Sequence, residues 1–281
     1  MTYAIRDMPC ILFAPGHKPD LFAKAIASGA PGIVIDLEDA VAPERKDETR
    51  ALVRDWFTRR SSVPARVGVR FNHPATRFGL RDMAAFFDDG PMPDFIMLPK
   101  VESAIEAQLA HRLSGGVPLI CTIESALGLS RAFEIAAAAP SIAALGFGGA
   151  DLASDLRAAM EWEPLAAARS TVVQAAAAAG VGALDVPWLQ LDDDSGLEVE
   201  SRRARAFGFT GKFAIHPRFV ERTIDCFMPS EAETEHARGA LAVAEAAGGA
   251  AVAYRGKMID EAILRSARRI VALDAARRRS T

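Results

Sequence analysis

Eight short apolar runs, separated by stretches of helical character, restrict the fold of this chain more than any other feature. They are Cys10–Ala14, Gly32–Leu37, Ala65–Phe71, Phe95–Leu98, Val117–Ile123, Ile142–Phe147, Val181–Val186 and Gly211–Ile215. Between them lie Pro19–Ser28, stopped by Gly29, then Pro43–Arg59, Glu102–Leu113, and Pro164–Ala179, stopped by Gly180. A proline near the start and a glycine past the end suit a helix. Parallel strands need crossover helices, so this alternation implies a parallel sheet. Eight units followed by a helical tail predict an α/β protein built as a closed (β/α)8 TIM barrel, with an open doubly wound sheet as the alternative. The 281 residues agree, because such barrels run to ~250 residues as one domain.

The pattern changes after Pro217. Residues 1–228 are expected to form the barrel and 229–281 a helical extension that a barrel does not need. In that extension Glu231–Ala247 reads as a helix, Gly248 and Gly249 as a break, and Ala250–Tyr254 as a short extended run. A turn at Gly256 and a helix over Glu261–Ala275, ending in the basic cluster Arg277–Arg279, complete it. The tail either packs on the outside of its own barrel or reaches a neighbouring subunit.

Composition narrows the class of partner. With 33 Lys and Arg against 36 Asp and Glu the formal charge is −3, which offers no bulk electrostatic case for nucleic-acid binding. Cys10, Cys121 and Cys226 are odd in number and far apart, as expected in a reducing compartment rather than in a disulfide framework. No apolar run approaches the ~18 residues of a membrane span, and no signal-peptide core follows Arg6 and Asp7. A soluble, cytoplasmic protein without membrane partners is expected.

In a barrel of this kind chemistry sits at the C-terminal strand ends. The second run ends in Asp36-Leu37-Glu38-Asp39, the third in Arg70-Phe71-Asn72, the fourth at Lys100 and the fifth at Glu124. The sixth runs into Gly146-Phe147-Gly148-Gly149-Ala150-Asp151, the seventh carries Asp185 and the eighth ends at His216-Pro217. Glu124 and Asp151 terminate strands that a barrel places ~4.8 Å apart. Two such carboxylates repel unless a proton or a cation lies between them. An all-oxygen site with few protein ligands suits Mg2+ rather than zinc, while helix capping is the plain alternative for each acid. The adjacent glycines allow close approach of backbone and ligand, so Gly149 and Ala150 are candidate substrate contacts. Arg70, in an apolar strand, is costly to bury alone. It either pairs with a carboxylate such as Glu38 or grips an anionic substrate with its planar fork. Lys100, one of six lysines, could form a Schiff base, although an ion pair with Glu102 or a rim carboxylate is the simpler reading. His216 reads as a turn or capping residue.

These motifs resemble one family. Leu12-Phe13-Ala14-Pro15-Gly16-His17-Lys18-Pro19, Val34-Ile35-Asp36-Leu37-Glu38-Asp39-Ala40-Val41 and Leu98-Pro99-Lys100-Val101-Glu102 are similar to segments of the citrate lyase beta-subunit-like branch of the HpcH/HpaI aldolases. So are Ile123-Glu124-Ser125-Ala126, Gly146–Asp151, Gly211–Pro217 and Gly256-Lys257-Met258-Ile259-Asp260, in the same order along nearly the whole chain. The resemblance implies a TIM barrel, commonly trimeric, and a Mg2+-dependent enzyme that breaks or forms a carbon–carbon bond next to a thioester. It implies Glu124 and Asp151 as metal ligands, and Arg70 as a substrate-binding and charge-stabilising residue. Glu38 and Asp39 would form the acidic shell around metal-bound water. Asp260 would be an acid/base contributed across a subunit interface, as in malyl- and citramalyl-CoA lyases. Lys18 stands where many relatives carry Arg, and Ala14 where many carry Val.

The expected reaction is cleavage of a 3-hydroxyacyl-CoA thioester, of malyl-CoA or citramalyl-CoA type, into an acyl-CoA and a 2-oxo acid. Alternatives are a citrate lyase beta subunit acting on an acyl-carrier-protein thioester, an aldolase for free hydroxy-oxo acids, and a non-catalytic barrel that binds CoA esters.

Overall fold

The computed structural model describes residues 3–88, 90–246 and 252–278. All eight apolar runs form strands: β1 (Cys10–Pro15), β2 (Gly32–Asp36), β3 (Arg66–Arg70), β4 (Ile96–Leu98), β5 (Leu119–Ile123), β6 (Ile142–Phe147), β7 (Gly182–Asp185) and β8 (Gly211–Ala214). They pair in sequence order, all parallel, and β8 returns to β1 to close the barrel. The closed TIM barrel is therefore the fold, and the open sheet is set aside.

The helices are α1 (Asp20–Ala27), α2 (Lys46–Arg59), α3 (Arg77–Phe87), α4 (Ala104–Leu113), α5 (Ala126–Ser130), α6 (Ala132–Ala136), α7 (Gly149–Leu156), α8 (Trp162–Ala179), α9 (Asp194–Phe207), α10 (Val220–Phe227), α11 (Glu231–Ala246) and α12 (Glu261–Arg278). Gly180 ends α8 in the left-handed region at φ 72°, as its position after the alanine tract suggested.

Strand side chains alternate between two cores. Ile11, Val34, Met97, Ile120, Leu184 and Phe213 share one buried cluster inside the barrel. Tyr3, Ile5 and Met8 join it from the segment that precedes β1, so the N-terminal end of the barrel is plugged. Their strand neighbours, such as Leu12, Ile33, Ile35, Val69 and Cys121, pack outward against the helices. The opposite end is left open for polar side chains. All three cysteines are free and buried, and burial pushes the thiols of Cys10 and Cys121 up to about 12. They are inert core residues.

One polar cluster interrupts the outer core. Lys212 on β8 is fully buried and donates to Asp185 on β7 at 2.8 Å and to Glu200 on α9 at 2.7 Å. Arg169 on α8 donates to the other oxygen of Asp185 at 3.0 Å and stacks over Trp162. The network ties two strands to two helices, and its charges are compensated in place.

The tail packs against its own barrel, the first of the two placements its sequence allowed. Helices α11 and α12 pack on each other, and Leu273 and Ala276 of α12 reach the cluster at the plugged end of the barrel. Before α12 comes an antiparallel hairpin, β9 (Val252–Tyr254) and β10 (Lys257–Ile259). Its two-residue turn, Arg255 at φ 47° and Gly256 at φ 78°, has the backbone of a tight hairpin turn. The Gly248-Gly249 break, together with Ala247, Ala250, Ala251 and Arg279, lies outside the described residues.

Replacing Lys212 by Met would leave Asp185 and Glu200 short of their shared cation. Breaking a buried pair from one side costs about 3–5 kcal/mol, so Lys212→Met should lower the urea midpoint by that equivalent. An unchanged midpoint would show that the network contributes nothing net to stability.

Candidate active site

The open end of the barrel holds a cavity of about 510 Å3. Its floor is apolar, made by Phe13, Met97 and Phe213, and its rim carries Asp36, Asp39, Arg70, Glu124 and Asp151, with Gly149 and Ala150 beside them. These residues come from seven of the eight strands or the turns that follow them, as a barrel site requires.

The anchor of the site is a pair whose partner the sequence left open. Register sets Asp36 directly opposite Arg70 on adjacent strands. The carboxylate accepts from Arg70 Nε and Nη2, both at 2.7 Å, in a fork-to-fork arrangement. The same two oxygens accept the amides of Glu38 at 2.8 Å and Ala40 at 3.0 Å. Asp36 thus orients both the guanidinium and the acidic loop after β2. Arg70 Nη1 lies 2.9 Å from Glu38 Oε2, and the guanidinium sits over the Phe13 ring. Burial alone would weaken the Arg70 charge, but Asp36 and Glu38 outweigh it and hold the group protonated.

Lys100 occupies the left-handed region at φ 54°, which costs a non-glycine residue roughly 1–2 kcal/mol. Its ammonium reaches Glu38 Oε1 at 2.6 Å and lies 3.5 Å from both Asp39 and Asp151. Burial works against the charge, yet Glu38 and Asp39 raise the proton affinity above the ordinary lysine value. The short contact with Glu38 and the raised proton affinity bear out the simpler reading, an ion pair with rim carboxylates, over the Schiff-base alternative. Glu102, the other partner considered, instead accepts from the Ser125 hydroxyl.

Glu124 is the least compensated group. It is buried, and its Oε2 has no hydrogen-bond partner. Burial raises its pKa to about 7, with the Glu38 charge adding to the effect while Arg70 and Lys100 oppose it. Gly148 makes room for it: a Cβ on Gly148 would lie 2.1 Å from Glu124 Cγ. Glu124 does not cap the following helix, because Ser125 does so by accepting from the Gly128 amide. Asp151 lies in the first turn of α7, half-exposed, on the same cavity. Gly149 and Ala150 belong to that turn, where helix N–H groups have no acceptor within the helix. The structure brings Glu124, Asp151, Arg70, Glu38 and Asp39 together at one rim.

Two other sites of the sequence reading lie differently. His216 Nδ1 accepts from the Arg218 amide, the capping role expected of it. Asp260 does not line the cavity of its own chain; it caps α12, its Oδ1 accepting from the Ile263 amide at 3.1 Å. Sequence reasoning gave Asp36 no role. The cue was available, since an arginine in an apolar strand demands an acid at the same depth on a neighbouring strand.

A parallel barrel with a mixed acidic and cationic rim over an apolar floor is the architecture of an enzyme acting on a small polar substrate. The chain belongs to the HpcH/HpaI aldolase/citrate lyase family, whose model matches residues 10–217. It is 32% identical to the L-malyl-CoA/beta-methylmalyl-CoA lyase of Cereibacter sphaeroides, over 96% of this chain and 98% of that one. It is 30% identical to the citrate lyase subunit beta of Escherichia coli, over 95% and 93% of the respective chains. Among solved structures, CitE from Mycobacterium tuberculosis, in complex with magnesium, acetoacetate and coenzyme A, is 33% identical with a TM-score of 0.81. That similarity covers 96% of this chain and all of the other. RipC from Yersinia pestis is 38% identical with a TM-score of 0.73, covering 81% of this chain and 98% of that one.

The Gly148 contact yields a direct test. Gly148→Ala must displace the Glu124 side chain or the backbone beside it, and overpacking of this kind costs about 1–3 kcal/mol. The thermal midpoint of the variant should fall accordingly, and its crystal structure should show Glu124 in a changed rotamer. An unaltered Glu124 and midpoint would mean that the contact is easily relieved.

Proposed function

We propose that this chain is a Mg2+-dependent carbon–carbon lyase that cleaves a 3-hydroxyacyl-CoA thioester, of malyl-CoA or citramalyl-CoA type, into an acyl-CoA and a 2-oxo acid. The observation that carries the reading is Glu124, a buried carboxylate with an unpartnered oxygen held open by Gly148 and sharing its cavity with Asp151. Two carboxylates and no nitrogen or sulfur donor suit a hard cation that keeps water or substrate oxygens as its other ligands. Glu124 and Asp151 would hold Mg2+ as its two protein ligands in this reading. The bound ion would supply positive charge beside the substrate's hydroxyl and carboxylate oxygens. The likeness to lyases of this kind, one of them crystallised with magnesium and coenzyme A, supports the same assignment.

The protein's own groups would then divide the work. Cleavage breaks the bond between the carbinol carbon and the carbon next to the thioester. The electron pair passes into the thioester as an enolate, while the hydroxyl proton passes to the water that Glu38 and Asp39 would hold and that oxygen becomes the 2-oxo carbonyl. Arg70, clamped by Asp36, presents a fixed charge to the oxygen on which negative charge develops. Glu38 and Asp39 hold the water next to the metal site and balance Arg70 and Lys100. Gly149 and Ala150 place first-turn amides of α7 near the substrate carboxylate. The enolate carbon takes a proton to complete the acyl-CoA. Asp260 is the donor in this reading, directly or through a water.

Because Asp260 lies outside its own chain's cavity, its role needs a second subunit. The tail, residues 229–281, would meet a neighbouring barrel in a homotrimer or higher homo-oligomer. No helix among the described residues is long and apolar enough to cross a membrane, and three reduced, buried cysteines accord with a cytoplasmic setting. The likeness to citrate lyase beta subunits keeps one second reading, a thioester carried on an acyl carrier protein. Co-purification with other lyase subunits would favour it.

A coupled assay of malyl-, methylmalyl- and citramalyl-CoA, following the 2-oxo acid released, tests the reaction. Turnover should vanish with a chelator and return with Mg2+; no release from any thioester overturns the proposal. Glu124→Ala and Asp151→Ala should each abolish Mg2+-dependent turnover while the circular dichroism spectrum is retained. Arg70→Lys keeps the charge but loses the fork, and turnover should fall roughly 10²-fold, as for loss of an oxyanion donor.

Subunit exchange tests the crossing of the tail. Asp260→Ala and Arg70→Ala proteins should each be nearly inactive, whereas mixed oligomers should regain activity in sites that combine an intact Arg70 with a neighbour's intact Asp260. No recovery despite demonstrated exchange would place Asp260 in its own subunit's site. An active Asp260→Ala parent would leave it only a helix cap.

A further inference from the structure

We infer that Lys46, a buried cation behind the cavity wall, is a positioning residue for the rim: it fixes the acidic loop after β2 and, through Glu38, the charges that face substrate. This deepens the lyase reading and rests on it for the role of Glu38. Lys46 opens α2 and is 9% exposed. Its ammonium donates to three acceptors, the carbonyls of Leu37 and Glu38, each at 3.0 Å, and Asn72 Oδ1 at 2.6 Å. Three donors and three acceptors leave it fully satisfied. It is not among the residues that line the cavity.

The placement of those acceptors gives Lys46 its role. Asp36 holds the loop by its amides, those of Glu38 and Ala40. Lys46 holds the same loop from the other side, by the carbonyls of Leu37 and Glu38. Between the two grips the Glu38 side chain has its carboxylate set against Arg70 and Lys100. Lys46 is in turn braced. Asn72, two residues beyond Arg70, donates to the Leu37 carbonyl and to Asp82, whose carboxylate also takes the Asn72 amide and Arg50 Nε. Asp82 is fully buried on α3. The chain of contacts therefore runs from α3 through the end of β3 and α2 to the loop after β2, joining the backbone of both halves of the Glu38–Arg70 pair.

A buried ammonium that only stabilised the fold would need acceptors anywhere in reach. Two of the three acceptors here are the successive backbone carbonyls of the loop that carries Glu38. Loss of the cation would take one of two bonds from each, leaving the Leu37 carbonyl to Asn72 and the Glu38 carbonyl to the Val41 amide, and the loosened loop would let the Glu38 carboxylate shift relative to Arg70 and Lys100. Shells of this kind around a metal site typically change activity 10–100-fold, the range expected here.

The test is a double-mutant cycle in kcat between Lys46→Met and Glu38→Gln, with the thermal midpoint and KM recorded for each protein. Wild-type turnover is measured first; its absence would sink the lyase reading and not the positioning role. With turnover present, Lys46→Met should lower kcat roughly 10–100-fold, leave KM for the thioester within about 2-fold, and cost much less in the Glu38→Gln background. Equal cost in both backgrounds, or a lowered midpoint with unchanged kcat per folded enzyme, would overturn the proposal and make Lys46 a structural residue only. Where Lys46→Met does not fold, Asn72→Ala, which removes one acceptor of the cation and the Asn72 bonds to Leu37 and Asp82 but leaves the cation in place, runs the same cycle. Its expected pattern is the same non-additivity at smaller size, and additivity there would equally overturn the proposal.

Discussion

The fork-to-fork pair between Asp36 and Arg70 is the interaction on which the open end of this barrel depends. A guanidinium inside a barrel strand loses its water, and only a carboxylate at the same depth can compensate it. The parallel register of β2 and β3 supplies that carboxylate directly opposite. Because the Asp36 oxygens also take two loop amides, one residue fixes a side chain and a backbone segment together. Everything else at the rim is arranged around a cation that cannot turn. Its charge stays available on the Glu38 side, where the contact is a single edge rather than a closed fork.

That arrangement leaves a surplus of negative charge. Among the described residues, Asp36, Glu38, Asp39 and Asp151 form ion pairs with Arg70 or Lys100, whereas Glu124 forms none. Asp36 and Glu38 are satisfied by the two cations. Glu124 has no direct partner on one oxygen, and burial raises its proton affinity into the neutral range. A buried, unpartnered carboxylate in a cavity marks a candidate binding site. Lys100 does not partner Glu124, because its short contact is already with Glu38.

How much of this was legible in the sequence follows from what periodicity can and cannot encode. The strands were readable because each apolar run is buried on both faces, and the helices because proline and glycine punctuate them. The rim followed from strand ends alone. The partner of Arg70 did not, because register in a closed barrel is set by the stagger of all eight strands and not by any local motif. Lys212 was readable in principle, since a lysine within the run Gly211–Ile215 poses the same burial problem as Arg70. Lys46 and Asp82 were not: each sits on an amphipathic helix, where a charged residue is ordinarily solvated. Only the packing of α2 and α3 over the ends of β2 and β3 turns them inward. The tail shows the same limit, for its first extended run, the Gly256 turn and its helices could be placed but not the second strand of the hairpin or what these elements face.

The cap at Asp260 and a catalytic role there compete less than the sequence suggests. A helix N-cap uses one carboxylate oxygen, here Oδ1 to the Ile263 amide, and leaves the second for another partner. What the cap removes is rotational freedom, which a proton donor working at a fixed carbon does not need. The surrounding segment is built in the same sense. A two-residue turn closes the hairpin ahead of it, Ile259 and Leu264 bury themselves against α11 residues Ala240 and Ala244, and the far end of α12 is fastened under its own barrel by Leu273 and Ala276. Met258 at the hairpin is 66% exposed, an apolar side chain presented outward from an otherwise braced arm. An arm anchored at its far end and exposed where it carries a carboxylate would suit the proposed delivery of that carboxylate to a neighbouring chain.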